Sequence, residues 1–305
     1  MGQADAMQFW SGTPFLDTTD ALALVRILDD AGYDGVITAD HLIYPRELKS
    51  PYPSSPPSLR SPQDGSAKPP WPPETAWPDS WVMIGAMAAV STRLRFTNAV
   101  YVAPSRPLLE VAKQVATAAV VSQGRVALTV GAGWMREEFD LLGQPFENRG
   151  KRLNEMIPAL RALWTGGWVS WSGEFYEIPE LMLEPHPPSP VPIMCGGESE
   201  AALRRAALLC DGWVGTAYTW DTAVPYVERL HALRLEYGRA DEPFEILLAL
   251  MDEPTVDLYK RAGEIGITAV MCAPWLGAAG VDLADVSTFR APIERFAENV
   301  IAKVR

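Results

Sequence analysis

The stretch "GRVALTVGAGWMREEFDLLG", residues 124–143, is an apolar run closed by three small residues, Gly131, Ala132 and Gly133, with Trp134 and an acidic amphipathic turn directly after them. "RVALTV" reads as a buried strand. Downstream, Leu153, Met156, Ile157, Leu160, Leu163 and Trp164 recur at helical spacing until Gly166-Gly167 ends the run. A buried strand, a turn of small residues and an amphipathic helix make the repeating unit of a parallel sheet. The small residues leave room for something flat or bulky to approach the backbone where the strand ends.

The same unit recurs along the whole chain. Strands are expected in "MQFWSG", "DGVITAD", "RFTNAVYV", "RVALTV", "VPIMC", "GWVGTA", "FEILLAL" and "TAVMCAP". Between and after them, helices are expected from Thr18 or Thr19 to a stop at Gly32, near 79–91, from Leu108 to Val121, over 149–165, in "SEAALRRAALL", over 222–237, over 254–264 and near 286–303. Eight strands and eight helices in strict alternation close most simply as a (β/α)8 TIM barrel, one domain over residues 1–305. A doubly wound open sheet is the competitor, but a glycine-rich turn opening a helix directly after the first strand is missing.

Two stretches exceed ordinary loop length. Residues 44–79, after the second strand, hold 11 of the 27 prolines together with Tyr44, Tyr52, Trp71 and Trp77. This composition suits a mobile polyproline-like loop, and the position suits a lid placing Trp71 and Trp77 over a substrate; both readings stand. Residues 166–190, before the fifth strand, read as a small hairpin around "WVSWSGEFYEI" with Ser172-Gly173 as its turn.

Composition removes several function classes. With 26 basic against 38 acidic residues, the net charge of −12 opposes binding to nucleic acid or to an anionic membrane. No apolar run approaches the roughly 18 residues of a membrane span, and the N-terminus lacks a secretory pattern, so a cytoplasmic protein is expected. Cys195, Cys210 and Cys272 follow no metal or disulfide spacing and fall in apolar segments, as buried free thiols do. His41, His186 and His231 lack metal-ligand spacing, so no metal is expected. A P-loop and a nucleophile elbow are also missing.

In a barrel, chemistry sits just past the strand ends. Here those positions hold Asp40 and His41; Asn98, Ala99 and Val100; Gly131, Ala132, Gly133 and Trp134; Gly196 and Gly197, followed by Glu198; and Gly215 and Thr216. Glycines and small residues dominate, which describes a binding floor rather than a hydrolytic centre. His41 in an Asp-His pair suits proton transfer, against the plainer reading of a histidine satisfied by backbone. Gly196-Gly197 before a helix serves equally as an anion site, weakened by Glu198 and Glu200, or as a tight turn.

These residues together resemble the luciferase-like monooxygenase superfamily, in particular its coenzyme F420-dependent oxidoreductases. The resemblance runs from "ADH" at 39–41 to the last helix, through "SQGRVALTVGAGWMREEFDLLGQPFENRGKRLNEMIPALRALWTGG", "GEFYEI" and "PVPIMCGGESEAALRRAALLCDGWVG". It implies F420, or FMN as the alternative, bound at the strand C-terminal ends, with the small residues at 131–133 making room for the tricyclic ring. His41 would be catalytic, near the redox ring. Ala99 and Val100 would form a bulge with a non-prolyl cis peptide behind the ring, and Asp40, Asn98, Gly131, Ala132 and Gly133 would stand beside it. Gly196, Gly197, Glu198, Gly215 and Thr216 would hold the phosphate end, and Trp71, Trp77 and Trp134 would face the substrate. Trp134 stands about where some relatives carry a catalytic glutamate, so their sugar-phosphate chemistry is not implied. The implied reaction is hydride transfer between the deazaflavin and a small organic substrate. An FMN monooxygenase served by a separate cofactor reductase is the second reading, and a barrel that binds a cofactor without turnover the third. A homodimer is compatible with all three.

Overall fold

In the computed structural model, which describes residues 6–13, 15–50, 52, 69 and 71–305, ten strands form. They are β1 (Gln8–Gly12), β2 (Gly35–Thr38), β3 (Arg95–Asn98), β4 (Leu128–Val130), β5 (Trp168–Ser172), β6 (Glu177–Met182), β7 (Ile193–Gly196), β8 (Gly212–Tyr218), β9 (Glu245–Leu250) and β10 (Ala269–Met271). Eight of them make one sheet in the order β3-β2-β1-β10-β9-β8-β7-β4, with every ladder parallel. Isolated bridges Phe96↔Val126 and Tyr101↔Val130 join its two ends and close the barrel. Between those bridges β3 advances five residues and β4 four. That extra residue is a bulge, and it re-aims the chain at Ala99 and Val100. It also explains why β4 is shorter than the six residues of "RVALTV": beside the bulge only isolated bridges survive.

The barrel interior follows from strand alternation. Trp10, Ile37, Ala127, Met194, Val214, Leu247 and Ala269 form a buried cluster separate from the core outside the strands, with Ala99 and Met271 against it. Two residues further along six of these strands stand Gly12, Ala39, Gly196, Thr216, Ala249 and Met271. A large side chain therefore plugs the middle of the barrel, and all of these mouth positions but Met271 carry small residues.

The helices form where capping and periodicity ask for them. Helix α1 (Thr18–Asp30) starts at Asp17, whose carboxylate accepts the Asp20 N–H, and buries Leu24, Val25, Ile27 and Leu28. Gly32 follows with φ +82°, the left-handed stop expected there. Helices α2 (Ser80–Ala89) and α3 (Leu108–Val121) complete the first half. A six-residue helix α4 (Arg136–Leu141), read in the sequence only as an acidic turn, precedes α5 (Arg149–Leu163). Helices α6 (Glu200–Leu209), α7 (Trp220–Glu236), α8 (Val256–Glu264) and α9 (Arg290–Phe296) follow in alternation with the remaining strands.

One turn differs from its reading. The hairpin β5–β6 pairs Ser172 with Glu177, so its loop is the four residues 173–176, not Ser172-Gly173. Glu155 of α5 decides this: its carboxylate accepts the Phe175 and Tyr176 N–H groups at 2.9 and 3.0 Å and the Trp171 indole N–H at 3.2 Å. Partial burial opposes ionisation of Glu155, but those donors outweigh it and hold the carboxyl below its ordinary range. The cysteines are free and buried. Of the 44–79 loop, residues 51, 53–68 and 70 lie outside the described ones.

Candidate active site

Val100 occupies the mouth of the barrel. The Ala99–Val100 peptide is cis. A β-carbon built on Gly131 would lie 2.2 Å from Val100 Cγ2, and one on Gly196 would lie 2.3 Å from Val100 Cγ1. These two glycines exist to seat the Val100 isopropyl group between β4 and β7. Gly133, at φ +82°, is confined for a similar reason: a β-carbon there would meet Val102 at 2.5 Å and Phe139 at 2.8 Å. The small residues at 131–133 thus first accommodate the protein's own side chains, and Val100 becomes the raised part of the floor. Arg149 fixes the turn by donating from Nε to the Gly133 carbonyl at 2.9 Å while stacking 3.7 Å above the Phe146 ring.

Asp40 does not face open space. Its two carboxylate oxygens take Arg106 Nη1 and Nη2 at 2.9 and 2.7 Å, and one of them also accepts the Val102 N–H at 2.9 Å. Burial pushes the Asp40 carboxyl up, while Arg106 and the Val102 N–H pull it back towards ionisation. Burial works against the Arg106 charge as well, but Asp40 outweighs it and keeps the guanidinium protonated. The pair ties the end of β2 to the segment after the β3 bulge, so Asp40 positions the floor. Asn98 is fully buried beneath it, donating from Nδ2 to Thr38 Oγ1 at 3.1 Å.

His41 points the other way in its chemistry. Its Nδ1 lies 3.2 Å from Glu138 Oε1, which also accepts the Leu42 N–H at 2.9 Å. Glu138 is 3% exposed and the imidazole 11%. Three indoles surround the imidazole: Trp71 at 5.2 Å, Trp77 at 5.1 Å and Trp134 at 5.7 Å between ring centroids. Tyr52 packs on Trp71 and Trp134, and Phe15 packs on Trp71 and Trp77. Such aromatic pairs each contribute about 0.5–1.5 kcal/mol beyond burial, enough to order this part of the loop over His41. The Trp77 indole N–H is buried without an acceptor.

Helix α4 anchors the roof. Glu137 accepts the Lys49 and Ser50 N–H groups at 2.6 and 3.1 Å and the Ser50 hydroxyl at 2.8 Å, while Ser50 Oγ accepts the Arg136 N–H at 3.0 Å. A serine 86 residues away in sequence therefore caps a helix with no cap of its own.

The opposite side of the mouth is open. Gly197, Glu198, Thr216 and Ala217 are exposed, with Gly197 at φ +111° and Ala217 at φ +65°. Glu198 accepts the Tyr218 hydroxyl at 2.7 Å, and Glu200 is held by Arg204 and Arg229. Gly215 is buried against Trp213 and Tyr218. The structure thus brings His41, Trp71, Trp77 and Trp134 together on one side, Ala99, Val100, Gly131, Ala132 and Gly196 at the floor, and Gly197, Glu198 and Thr216 on the other. Sequence reasoning missed Arg106, Glu137 and Glu138. None of the three stands out locally: Glu137 and Glu138 are neighbours in the acidic turn "REEFD". Among the described residues no three His, Cys, Asp or Glu side chains cluster as a metal site, and no helix is long and apolar enough to cross a membrane.

A family sequence model, luciferase-like monooxygenase, matches residues 7–251. The chain belongs to the luciferase-like monooxygenase family. By that membership it is an oxidoreductase. An uncharacterized protein of Mycobacterium tuberculosis is 38% identical over 301 residues, covering 98% of this chain and 100% of that one. The pyrimidine monooxygenase RutA of Methylobacterium radiotolerans is 30% identical over 216 residues, covering 66% of this chain and 55% of its own length. Among solved structures, an F420-dependent secondary alcohol dehydrogenase in complex with an F420-acetone adduct superposes with a TM-score of 0.71 at 17% identity, over 98% of this chain and 99% of that one. At that identity the likeness concerns the fold.

Proposed function

We propose that this luciferase-like protein is an F420-dependent oxidoreductase that moves a hydride between the deazaflavin and a small neutral molecule bearing a hydroxyl or carbonyl oxygen. The observation that carries the reading is His41: an imidazole tied through Nδ1 to a buried carboxylate and roofed by three indoles beside a small-residue floor. The floor fits a flat ring system. Small lumen residues around the raised Val100 isopropyl group offer an apolar surface, and the open side offers backbone N–H groups at the N-terminus of α6 for a phosphate. Ala99, Val100, Gly131, Ala132 and Gly196 would lie under the ring. Gly197, Thr216 and the α6 N-terminus would hold the phosphate end, with Glu198 fixed by Tyr218. Asp40 and Asn98 would act beneath the floor.

Bound there, the deazaflavin supplies a carbon that accepts or returns a hydride. The chain supplies orientation and the proton. When a C–OH group becomes C=O, the carbon gives up the hydride and the oxygen gives up its proton to His41 Nε2. The Trp77 N–H, buried without an acceptor, is suited to donate to the same oxygen. Trp71, Trp77 and Trp134 keep water from competing. The buried charged side chains Asp40, Arg106 and Glu138 are already engaged within the protein, which supports a neutral substrate.

A second reading, an FMN-dependent monooxygenase with a separate reductase, is supported by the 30% identity to RutA. Anaerobic single turnovers separate the two. F420-loaded protein mixed with a panel of neutral alcohols should reduce the deazaflavin without oxygen, and His41→Ala should slow this about 10²–10⁴-fold with cofactor affinity retained. Turnover that requires reduced FMN and oxygen would overturn the F420 reading.

A further inference from the structure

We propose that Glu138 is the counter-ion and positioning residue of His41, so that the pair can take up and return one proton at the edge of the barrel mouth. The role in turnover rests on the function proposed above; the proton-holding pair itself does not.

The argument starts from buried charge. Around the end of β2 lie one guanidinium, Arg106, and two carboxylates, Asp40 and Glu138, all three buried. Asp40 and Arg106 satisfy each other through two charge-assisted bonds. Glu138 is left over. Its charge reaches that pair, adding to the upward push on both Asp40 and Arg106. An isolated buried carboxylate is costly, and among the described residues the donors to Glu138 are the neutral Leu42 N–H and His41 Nδ1. A proton taken up by His41 is therefore offset by the Glu138 charge beside it.

The other groups facing His41 do not supply that balance. From the loop come Trp71, Trp77 and Tyr52; the indoles do not titrate, and burial pushes the Tyr52 hydroxyl up, so it stays neutral. From the turn after β4 comes Trp134. On α4, Glu137 is turned to Lys49 and Ser50. On its own segment, Asp40 is committed to Arg106.

Geometry makes the pair directional. Glu138 Oε1 receives the Leu42 N–H, which locks the carboxylate to the backbone next to His41, and the same oxygen receives Nδ1–H. An ionised carboxylate only accepts, so the neutral imidazole carries its hydrogen on Nδ1 and presents a lone pair on Nε2. In the oxidation written above, the substrate hydroxyl proton passes to Nε2, Glu138 neutralises the imidazolium, and the proton later leaves to water. In the reverse direction the same pair returns it.

The test is an NMR titration of the His41 imidazole in the cofactor-free 305-residue chain, which has three histidines to assign. Glu138→Gln keeps an oxygen for the Leu42 N–H and for Nδ1–H but removes the charge. It should move the midpoint of the His41 titration down by about one unit or more, as loss of an opposite charge at this range does. Glu184→Gln, which removes the exposed carboxylate paired with His186, should leave the His41 midpoint in place. The limb of the pH–rate profile that reports His41 should move to lower pH in Glu138→Gln, whichever direction of hydride transfer is assayed. An unchanged midpoint in Glu138→Gln overturns the proposal. Should that variant fail to fold, imidazole nitrogen shifts of the wild type decide: the Nδ1–H tautomer at high pH is expected, and the Nε2–H tautomer overturns it. The two NMR readouts need no cofactor, so their failure is separate from failure of the F420 reading.

Discussion

Val100 and Gly131 exclude any side chain between them: the 2.2 Å that would separate Val100 Cγ2 from a β-carbon at residue 131 is shorter than any real contact. The backbone at Gly131 is not left-handed, so alanine is conformationally permitted and the penalty is one of space alone. Gly131→Ala should therefore destabilise by about 1–3 kcal/mol, the range for overpacking, and weaken cofactor binding by displacing Val100. Adding Val100→Ala should restore much of the stability without restoring the floor. Denaturant unfolding of the single and double variants checks this, and a fully stable Gly131→Ala would show that the floor is loosely packed.

The Asp40–Arg106 pair makes a different prediction, because it is buried and bidentate. Asp40→Ala leaves a guanidinium without a counter-charge and frees the Val102 N–H. A loss of about 3–5 kcal/mol in unfolding free energy is expected. A loss below about 1 kcal/mol would mean that water reaches Arg106.

Acid should release the roof. Partial burial opposes the Glu137 charge, but the Lys49 and Ser50 N–H groups and the Ser50 hydroxyl hold its carboxyl below the ordinary range. A depressed carboxyl contributes its full stabilisation above the unfolded value, about 4.3, and loses it as pH falls through the lower folded value. Amide exchange at Lys49 and Ser50 should therefore be protected at neutral pH, and the protection should be lost by about pH 3. Glu137→Gln should lack much of it at every pH. Protection independent of pH would place the latch elsewhere.

Trp71 touches Phe15, His41, Tyr52 and Trp77 but not the core cluster outside the strands. Trp71→Ala should accordingly leave the thermal midpoint within a few degrees of wild type while lowering kcat/KM, since water then reaches His41. A large drop in the thermal midpoint with unchanged kcat/KM would make the cluster a structural plug.

The barrel was legible because each strand–helix unit repeats the same period and punctuation: "RVALTV" before the Gly-Trp turn, Leu108–Val121 as a helix, Gly32 and Gly166 as stops. Of the candidate site, His41, Trp71, Trp77 and Val100 stood out in the sequence by residue type, at strand ends or in an unusual loop. Glu138, Arg106 and Ser50 were not, because their partners lie 97, 66 and 86 residues away and no local spacing encodes such pairings. The four-residue loop 173–176 escaped for the same reason, since Glu155 on another element decides it. The glycines at 131 and 196 were seen but assigned to a ligand, whereas the nearest occupant of their space is Val100.

Titrating F420 and FMN separately into the cofactor-free protein, with fluorescence detection, tests the central claim most directly. The account predicts saturable binding of F420 that is tighter than that of FMN and is weakened in Gly131→Ala. FMN binding equal to or tighter than F420 would contradict the deazaflavin assignment in favour of the monooxygenase reading, and binding of neither would contradict the cofactor floor itself.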